Sequence, residues 1–247
     1  MTEELFNIAS MKRIAIFGST GSVGTQSLSV VNQNQNKFEI ISLSCNNNAD
    51  LLFEQTKKFM PEKIGINKIS ANHPLKDFCK KNNIDLIIGE DSSNILSQYK
   101  DIDLVINAIV GTDGLIPTLN TVNNNIELAL SNKESLVLGG HIIMPKVKKN
   151  TANLIPVDSE HSAIFQCLHG EQVNVLKKII LTGSGGPFLK RELNTFNSIS
   201  PEEALKHPNW DMGKKISIDS ATMMNKGLEL VEAMWLFDVS KEDIEIV

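Results

Sequence analysis

Arg13-Ile14-Ala15-Ile16-Phe17 runs straight into Gly18-Ser-Thr-Gly-Ser-Val-Gly24, and a pattern compatible with a helix follows to about Gln33. A short β-rich run, a glycine turn and a helix, in that order, open a βαβ unit and make a dinucleotide fingerprint credible. The spacing is G-x-x-G-x-x-G rather than G-x-G-x-x-G, which weakens the generic signal. Its physical basis is unchanged: glycines let the backbone approach a pyrophosphate, and the helix N-terminus offers free N–H groups and positive dipole. A glycine-rich βα turn without a ligand is the alternative.

The alternation continues through the first half. Strands are expected at Phe38 to Ser44, Lys63 to Ile66, Asp85 to Gly89, Asp103 to Val110 and Asn125 to Leu130. Helices are expected near Asp50 to Phe59 and Pro74 to Lys81, with another after Gly111 and Gly114. Asp103 to Val110 is nearly continuous in apolar residues, as in a strand buried on both faces. The sum is an α/β fold, a doubly wound Rossmann-type sheet in which ligands bind beyond the carboxyl ends of the strands. Cys45-Asn46-Asn47-Asn48 follows the second strand. No carboxylate stands between the end of that strand and Asp50 to hold a ribose 2′-hydroxyl or repel a 2′-phosphate, so NADP is favoured over NAD.

At 247 residues the chain has material for one large domain or two ordinary ones. The expected division is a nucleotide-binding domain over 11–151 and a catalytic domain over 152–247. A hydrophobic fraction of 41% and a mean hydropathy of −0.08 suit a globular protein with ample core. No apolar run approaches the ~20 residues a membrane span needs. MTEELFNIAS lacks the marks of a secretory or transit leader, so a cytoplasmic location is the expectation. Cys45, Cys79 and Cys167 form no CxxC pattern, which argues against structural zinc and a disulfide framework. A net charge of −5 and a pI near 5.6 argue against a nucleic-acid partner.

In the second half, Leu154 to Val157 delivers Asp158-Ser159-Glu160-His161. Carboxylates at i and i+2 at a strand end can splay toward one hard divalent cation such as Mg²⁺ or Mn²⁺. The same residues also read as a helix start, with Asp158 or Ser159 capping and Glu160 in the first turn. A helix to Leu168 and a strand from Val175 to Leu181 follow. Thr182-Gly-Ser-Gly-Gly-Pro-Phe188 can form an anion-binding nest around Ser184, or serve as a hinge. Residues 185–214 have weak periodicity, as in a flexible flap, and end in His207-Pro-Asn-Trp210. Lys215 to Asp219 is expected to be a strand, with Ser220 capping a helix from Ala221 to Leu236. Met224, Leu228, Val231 and Trp235 form its expected buried stripe. Asn225 and Glu229, one turn apart on a neighbouring face with Glu232, are either site residues or a solvated helix face. Ser220, Asn225 and Lys226 offer donors to a phosphate.

Together these segments resemble 1-deoxy-D-xylulose 5-phosphate reductoisomerase. The resemblance is carried by Gly18 to Gly24, Ala129 to Leu136, Pro156 to His161, Leu181 to Phe188, His207 to Trp210 and Lys215 to Glu229, and it spans nearly everything from Met11 onward. It implies rearrangement of 1-deoxy-D-xylulose 5-phosphate and reduction with NADPH to 2-C-methyl-D-erythritol 4-phosphate, in non-mevalonate isoprenoid synthesis. It further implies an α+β catalytic domain, with Asp158, Glu160 and Glu229 as ligands to Mg²⁺ or Mn²⁺ and Lys133 among the catalytic groups. Substrate would be held by Lys133, Ser159, Glu160 and Glu229, and its phosphate by Ser184, Ser220, Asn225 and Lys226, with His207 and Trp210 closing over it. NADPH would meet Thr20, Gly21, Ser22, Val23, Asn46, Asn47, Asn48, Asn132, Glu134 and Gly213. The family often has Gly where Asn46 stands, and Asn tolerates the left-handed φ such a turn can require. Family members continue into a further strand and a C-terminal helical domain beyond Val247. The chain therefore reads as truncated, and a homodimer is expected of the intact family member. Two other functions stay open: another NADP-dependent dehydrogenase acting on an aldehyde, and an NADPH-binding fragment without turnover.

Overall fold

The computed structural model describes residues 11–171, 176–208, 210 and 212–247. They fall into two compact units, one reaching to Ile109 and adding Ile116–Ala129, the other comprising Val110–Leu115 and Leu130–Val247. The second unit therefore begins earlier than the expected boundary near 151. Residues 133–147 form a helix that packs on the helix at 224–237, which draws them into the second unit.

In the first unit the strands are β1 (Lys12–Phe17), β2 (Phe38–Cys45), β3 (Lys63–Ile66), β4 (Asp85–Ile88), β5 (Leu104–Asn107) and β6 (Glu127–Leu130). The helices are α1 (Ser22–Gln33), α2 (Ala49–Phe59), α3 (Pro74–Lys81), α4 (Ser92–Leu96) and α5 (Leu115–Asn123). The sheet order is β4-β3-β2-β1-β5-β6, and β1 pairs in parallel with both β2 and β5. Succession thus reverses beside β1, the switch point where doubly wound sheets bind ligands. Ile14, Ile16, Leu43, Ile64 and Ile66 are buried together, as strands covered on both faces require.

Sterics fix the turn after β1. Gly18 has φ +81°, and a Cβ there would lie 2.5 Å from the Ala108 carbonyl oxygen. A Cβ on Gly24 would lie 2.4 Å from the Gly18 oxygen. Gly21 stands at the N-cap of α1 with no side-chain capping bond, leaving first-turn N–H groups open to an anion. Ser19 and Gln55 lock the turn from beneath: Ser19 Oγ donates to Gln55 Oε1 and Gln55 Nε2 donates to the Ser19 carbonyl, both at 2.8 Å.

The second unit holds α6 (Lys133–Val147), β7 (Leu154–Pro156), α7 (Ser159–Leu168), β8 (Ile179–Leu181), α8 (Pro201–Ala204), α9 (Lys214–Ala221), α10 (Met224–Phe237) and β9 (Ile244–Ile246). β8 and β9 pair in parallel. The strand expected from Val175 is the shorter Ile179–Leu181, with 172–175 outside the described residues. Among the described residues no helix is long and apolar enough to cross a membrane.

Three expectations are corrected here. Lys215 to Asp219 is not a strand but part of α9, so Ser220 lies near that helix's end rather than capping the next. Ile216 and Ile218 alternate as in a strand, yet the Lys215–Asp219 pair at 2.6 Å has the i,i+4 spacing of a helix. Met223, with φ 61°, separates α9 from α10. The buried stripe of α10 is also not the apolar one: Met224 is 55% exposed, while Lys226, Glu229, Glu232, Ala233 and Phe237 are buried. Lastly, the segment over 185–214, expected to show little periodicity, carries local structure. It contains a 3₁₀ turn at Leu193–Ser198 and α8, braced by Arg191 donating to Glu203 Oε1 at 2.8 Å and Ser198 Oγ at 2.9 Å.

Candidate active site

Two helix starts and one helix face build the site in the second unit. Asp158 stands at the N-cap position of α7, and Ser162 N–H donates to its carbonyl at 2.7 Å. Its carboxylate makes no cap bond and instead lies 2.5 Å from Lys133 Nζ. Lys133 opens α6, where Asn132 caps by accepting from Ser135 N–H at 3.0 Å. From α10, Glu229 joins them: Lys133 Nζ is 3.0 Å from Glu229 Oε1 and 2.8 Å from Asn225 Oδ1. Lys226 donates to Glu160 Oε1 at 2.9 Å, and also to Glu229 Oε2 and the Thr182 carbonyl.

Ligand oxygens of Asp158, Glu160 and Glu229 all lie within 4.8 Å of one another. The three residues named from the sequence as a metal set are thus gathered in space. Carboxylate oxygens are the donors that hard cations such as Mg²⁺ and Mn²⁺ take, so the residues present fit such an ion.

Charge is tightly coupled here. Burial opposes the Lys133 ammonium, but Asp158 and Glu229 outweigh it and hold that group well above the ordinary lysine range. Lys226 is likewise raised, burial being overcome by Glu229 and Glu160. Burial would push Glu160 up, but hydrogen bonds from Ser159 and Lys226 prevail and bring it down to about 2. Both lysines therefore stay cationic and Glu160 anionic throughout the neutral range.

These groups face a cavity of about 580 Å³. It is lined by Lys133, Asp158, Ser159, Glu160, Ser184, His207, Trp210, Ser220, Asn225, Lys226 and Glu229, so every expected metal and substrate residue opens onto it. Gly185 and Gly186 adopt φ of +74° and +68°, and a Cβ on Gly186 would sit 2.6 Å from the Ser220 carbonyl. That close approach brings the glycine loop against the end of α9. His207 Nδ1 accepts from the Trp210 N–H at 3.1 Å, so in the neutral ring Nε2 carries the hydrogen, 3.0 Å from Ser184 Oγ.

The residues expected to meet a dinucleotide are distributed over both units. Thr20, Gly21, Ser22 and Val23 follow β1, and Asn46, Asn47 and Asn48 follow β2. Asn48 caps α2 by accepting from Leu51 N–H at 3.2 Å. Asn46 is not among the positive-φ residues, so its turn forms without the left-handed φ. In the second unit Asn132 donates to the Gly111 carbonyl at 2.7 Å, Glu134 lies 2.5 Å from Lys215 Nζ, and Gly213 caps α9.

The sequence reading left His161 and Glu232 without a role at the site. His161 Nε2 donates to the Glu229 carbonyl at 2.8 Å, and Nδ1 is 3.4 Å from Glu232 Oε2. Both side chains are 0% exposed. Burial, with Asp158 nearby, pushes the Glu232 carboxyl up to about 9, while burial lowers His161. The signals in the sequence are the adjacency of His161 to Glu160 and the place of Glu232 on the helix face of Glu229.

Comparison with known proteins gives the chain a family. The family model for 1-deoxy-D-xylulose 5-phosphate reductoisomerase matches residues 14–140, and that for the reductoisomerase C-terminal domain matches 154–237. The reductoisomerase of Clostridium novyi is 46% identical over 96% of this chain, and that of Clostridium tetani 44% identical over 96%. The chain spans 62% of the length of each. A crystal structure of a DOX-P reductoisomerase in complex with NADPH, fosmidomycin and magnesium superposes with a TM-score of 0.87 at 36% identity, over 96% of this chain and 60% of that one. The Zymomonas mobilis enzyme in complex with NADPH gives 0.86 at 36% identity, over 96% and 61%. This chain belongs to the 1-deoxy-D-xylulose 5-phosphate reductoisomerase family.

Proposed function

We propose that this chain carries out metal-assisted rearrangement and NADPH-dependent reduction of 1-deoxy-D-xylulose 5-phosphate to 2-C-methyl-D-erythritol 4-phosphate. The observation that carries this reading is the gathering of Asp158, Glu160 and Glu229 around one cavity shared with Lys133, Ser184, Asn225 and Lys226. The related structures solved with NADPH, magnesium and fosmidomycin support it. Because the chain spans 62% of its relatives' length, turnover by this chain is part of the proposal. So are the use of manganese in place of magnesium, a cytoplasmic location and homodimerisation of the intact family member.

Asp158, Glu160 and Glu229 would hold Mg²⁺ or Mn²⁺, which supplies Lewis-acid polarisation of a carbonyl when bound. Lys133, kept cationic by Asp158 and Glu229, is the charged donor beside the reacting oxygens, with Ser159 adding a hydroxyl. Ser184, Ser220, Asn225 and Lys226 supply hydroxyl, amide and ammonium donors to the substrate phosphate. His207 offers its Nε2–H from the flap, and Trp210, now 65% exposed, is the apolar surface that would exclude water on closure. For NADPH, the open N-terminus of α1 with Thr20, Gly21, Ser22 and Val23 suits the pyrophosphate. The carboxylate-free Asn46-Asn47-Asn48 turn suits the 2′-phosphate; Asn132, Glu134 and Gly213, in the second unit, are the further residues that the family resemblance assigns to NADPH.

The test is NADPH absorbance followed with substrate, in Mg²⁺ or Mn²⁺ and after chelation. Consumption that requires the metal is expected. Consumption indifferent to chelation would assign the chain to another dehydrogenase chemistry, and NADPH binding without oxidation would make it a binding fragment.

A further inference from the structure

The two carboxylates that α7 brings to the site, Asp158 and Glu160, and the one that α10 brings, Glu229, are like charges within 4.8 Å. Lys133 bridges Asp158 to Glu229 and Lys226 bridges Glu160 to Glu229 within the site, and the two helices are also tied outside the cavity. His161 directly follows Glu160, does not line the cavity, and donates through Nε2 to the backbone carbonyl of Glu229 at 2.8 Å. A carbonyl oxygen only accepts, so the hydrogen is on Nε2 and the neutral ring presents a lone pair at Nδ1. That lone pair faces Glu232 Oε2 at 3.4 Å, one turn along α10 from Glu229. The ring also lies parallel to Phe237, at 5° between planes. His161 thus ties the first turn of α7 to α10 through the Glu229 carbonyl, while its Nδ1 and the Glu232 carboxyl, buried side by side, have no other hydrogen-bond partner among the described residues.

We propose that His161 and Glu232 are positioning residues that fix Glu160 and Glu229 at the separation a divalent cation requires. The inference rests on the reading of Asp158, Glu160 and Glu229 as a metal site. Removing outer partners that orient metal ligands typically weakens metal binding about 10–100-fold. His161→Phe keeps a ring but loses both nitrogens, and Glu232→Leu keeps volume but loses the carboxyl that faces Nδ1. Each weakens binding by that factor. Glu232→Gln retains an amide that can donate to Nδ1 and binds metal close to wild type.

Mn²⁺ titration of the metal-free chain, followed by the resonance of free Mn²⁺, reads this directly, beside thermal melts of the same samples. The expected result is one Mn²⁺ per chain, a Kd raised about 10–100-fold in His161→Phe and Glu232→Leu, and a Kd within about twofold of wild type in Phe237→Leu despite a lowered Tm. If the Phe and Leu variants do not fold, His161→Gln, whose amide reaches the Glu229 carbonyl, is compared with His161→Asn, whose amide does not. The Gln variant then binds about tenfold more tightly. Lowered Tm with unchanged Kd in His161→Phe and Glu232→Leu, or equal Kd in the Gln and Asn variants, would overturn the proposal. So would a second Mn²⁺ that is lost in Glu232→Leu, because Asp158, His161 and Glu232 would then be ligands themselves. Wild type that binds no Mn²⁺, or Glu229→Gln that binds like wild type, would instead refute the metal reading beneath it.

Discussion

Lys133 Nζ lies 3.0 Å from Glu229 Oε1, with the two side chains only 8% and 2% exposed. One carboxylate therefore neutralises a buried ammonium and also completes the proposed ligand set. Glu229→Gln removes the charge while keeping an acceptor. Breaking a buried pair from one side costs about 3–5 kcal/mol, and the retained amide and the second partner Asp158 put this case near about 3 kcal/mol. Turnover falls by at least about 100-fold. NADPH affinity, measured by fluorescence titration, stays near wild type. Equal loss of turnover and cofactor affinity would make Glu229 a structural residue instead.

A glycine pair separates close approach from mere turn preference. At Gly24 a Cβ would meet backbone atoms of Gly18 and Ser19 at 2.4 and 2.5 Å, whereas at Gly21 the nearest contact is 3.3 Å. Urea unfolding should place Gly24→Ala about 1–3 kcal/mol below wild type, with NADPH binding weakened. Gly21→Ala should unfold within about 1 kcal/mol of wild type. Indistinguishable stabilities would mean that the helix does not press on the turn as described.

Glu232 gives a pH signature. Its folded-state carboxyl titrates at about 9, raised by burial and by Asp158, against an ordinary value of 4.5. Below 4.5 both folded and unfolded forms hold the proton, and the group contributes no pH dependence. Between 4.5 and about 9 only the folded form holds it, so stability falls as pH rises, by about 1.4 kcal/mol per pH unit from this group. Glu232→Gln removes that slope. Denaturant melts across pH 5 to 8, compared between wild type and variant, check it; parallel curves would show that Glu232 is ionised in the fold.

Much of the first unit is legible in the sequence because its strands and turns are local. Gly18 to Gly24 announces a strand-to-helix turn whose glycines are then demanded by the Ala108 and Gly18 carbonyls. The cation set is legible from Asp158 and Glu160 as a pair, with Glu229 as a candidate third carboxylate whose helix face reads equally as solvated until the family resemblance assigns it to the metal. α9 is hard to read locally because Ile216 and Ile218 alternate as in a strand, while Lys215 pairs with Asp219 within the helix and with Glu134 on α6 only once the chain is folded. The stripe of α10 was misread for a related reason. Charged residues on a helix face normally signal solvent, but Lys226 and Glu229 neutralise each other and their neighbours in the interior. Glu232 was hidden because nothing local indicates that a buried histidine faces it.

The most direct measurement is a Mn²⁺ titration of the metal-free chain beside Asp158→Asn, Glu160→Gln and Glu229→Gln. The geometry predicts one Mn²⁺ per wild-type chain, with binding lost or severely weakened in each variant. Wild type that takes up no Mn²⁺, or variants that bind it as tightly as wild type, would contradict the three-carboxylate site.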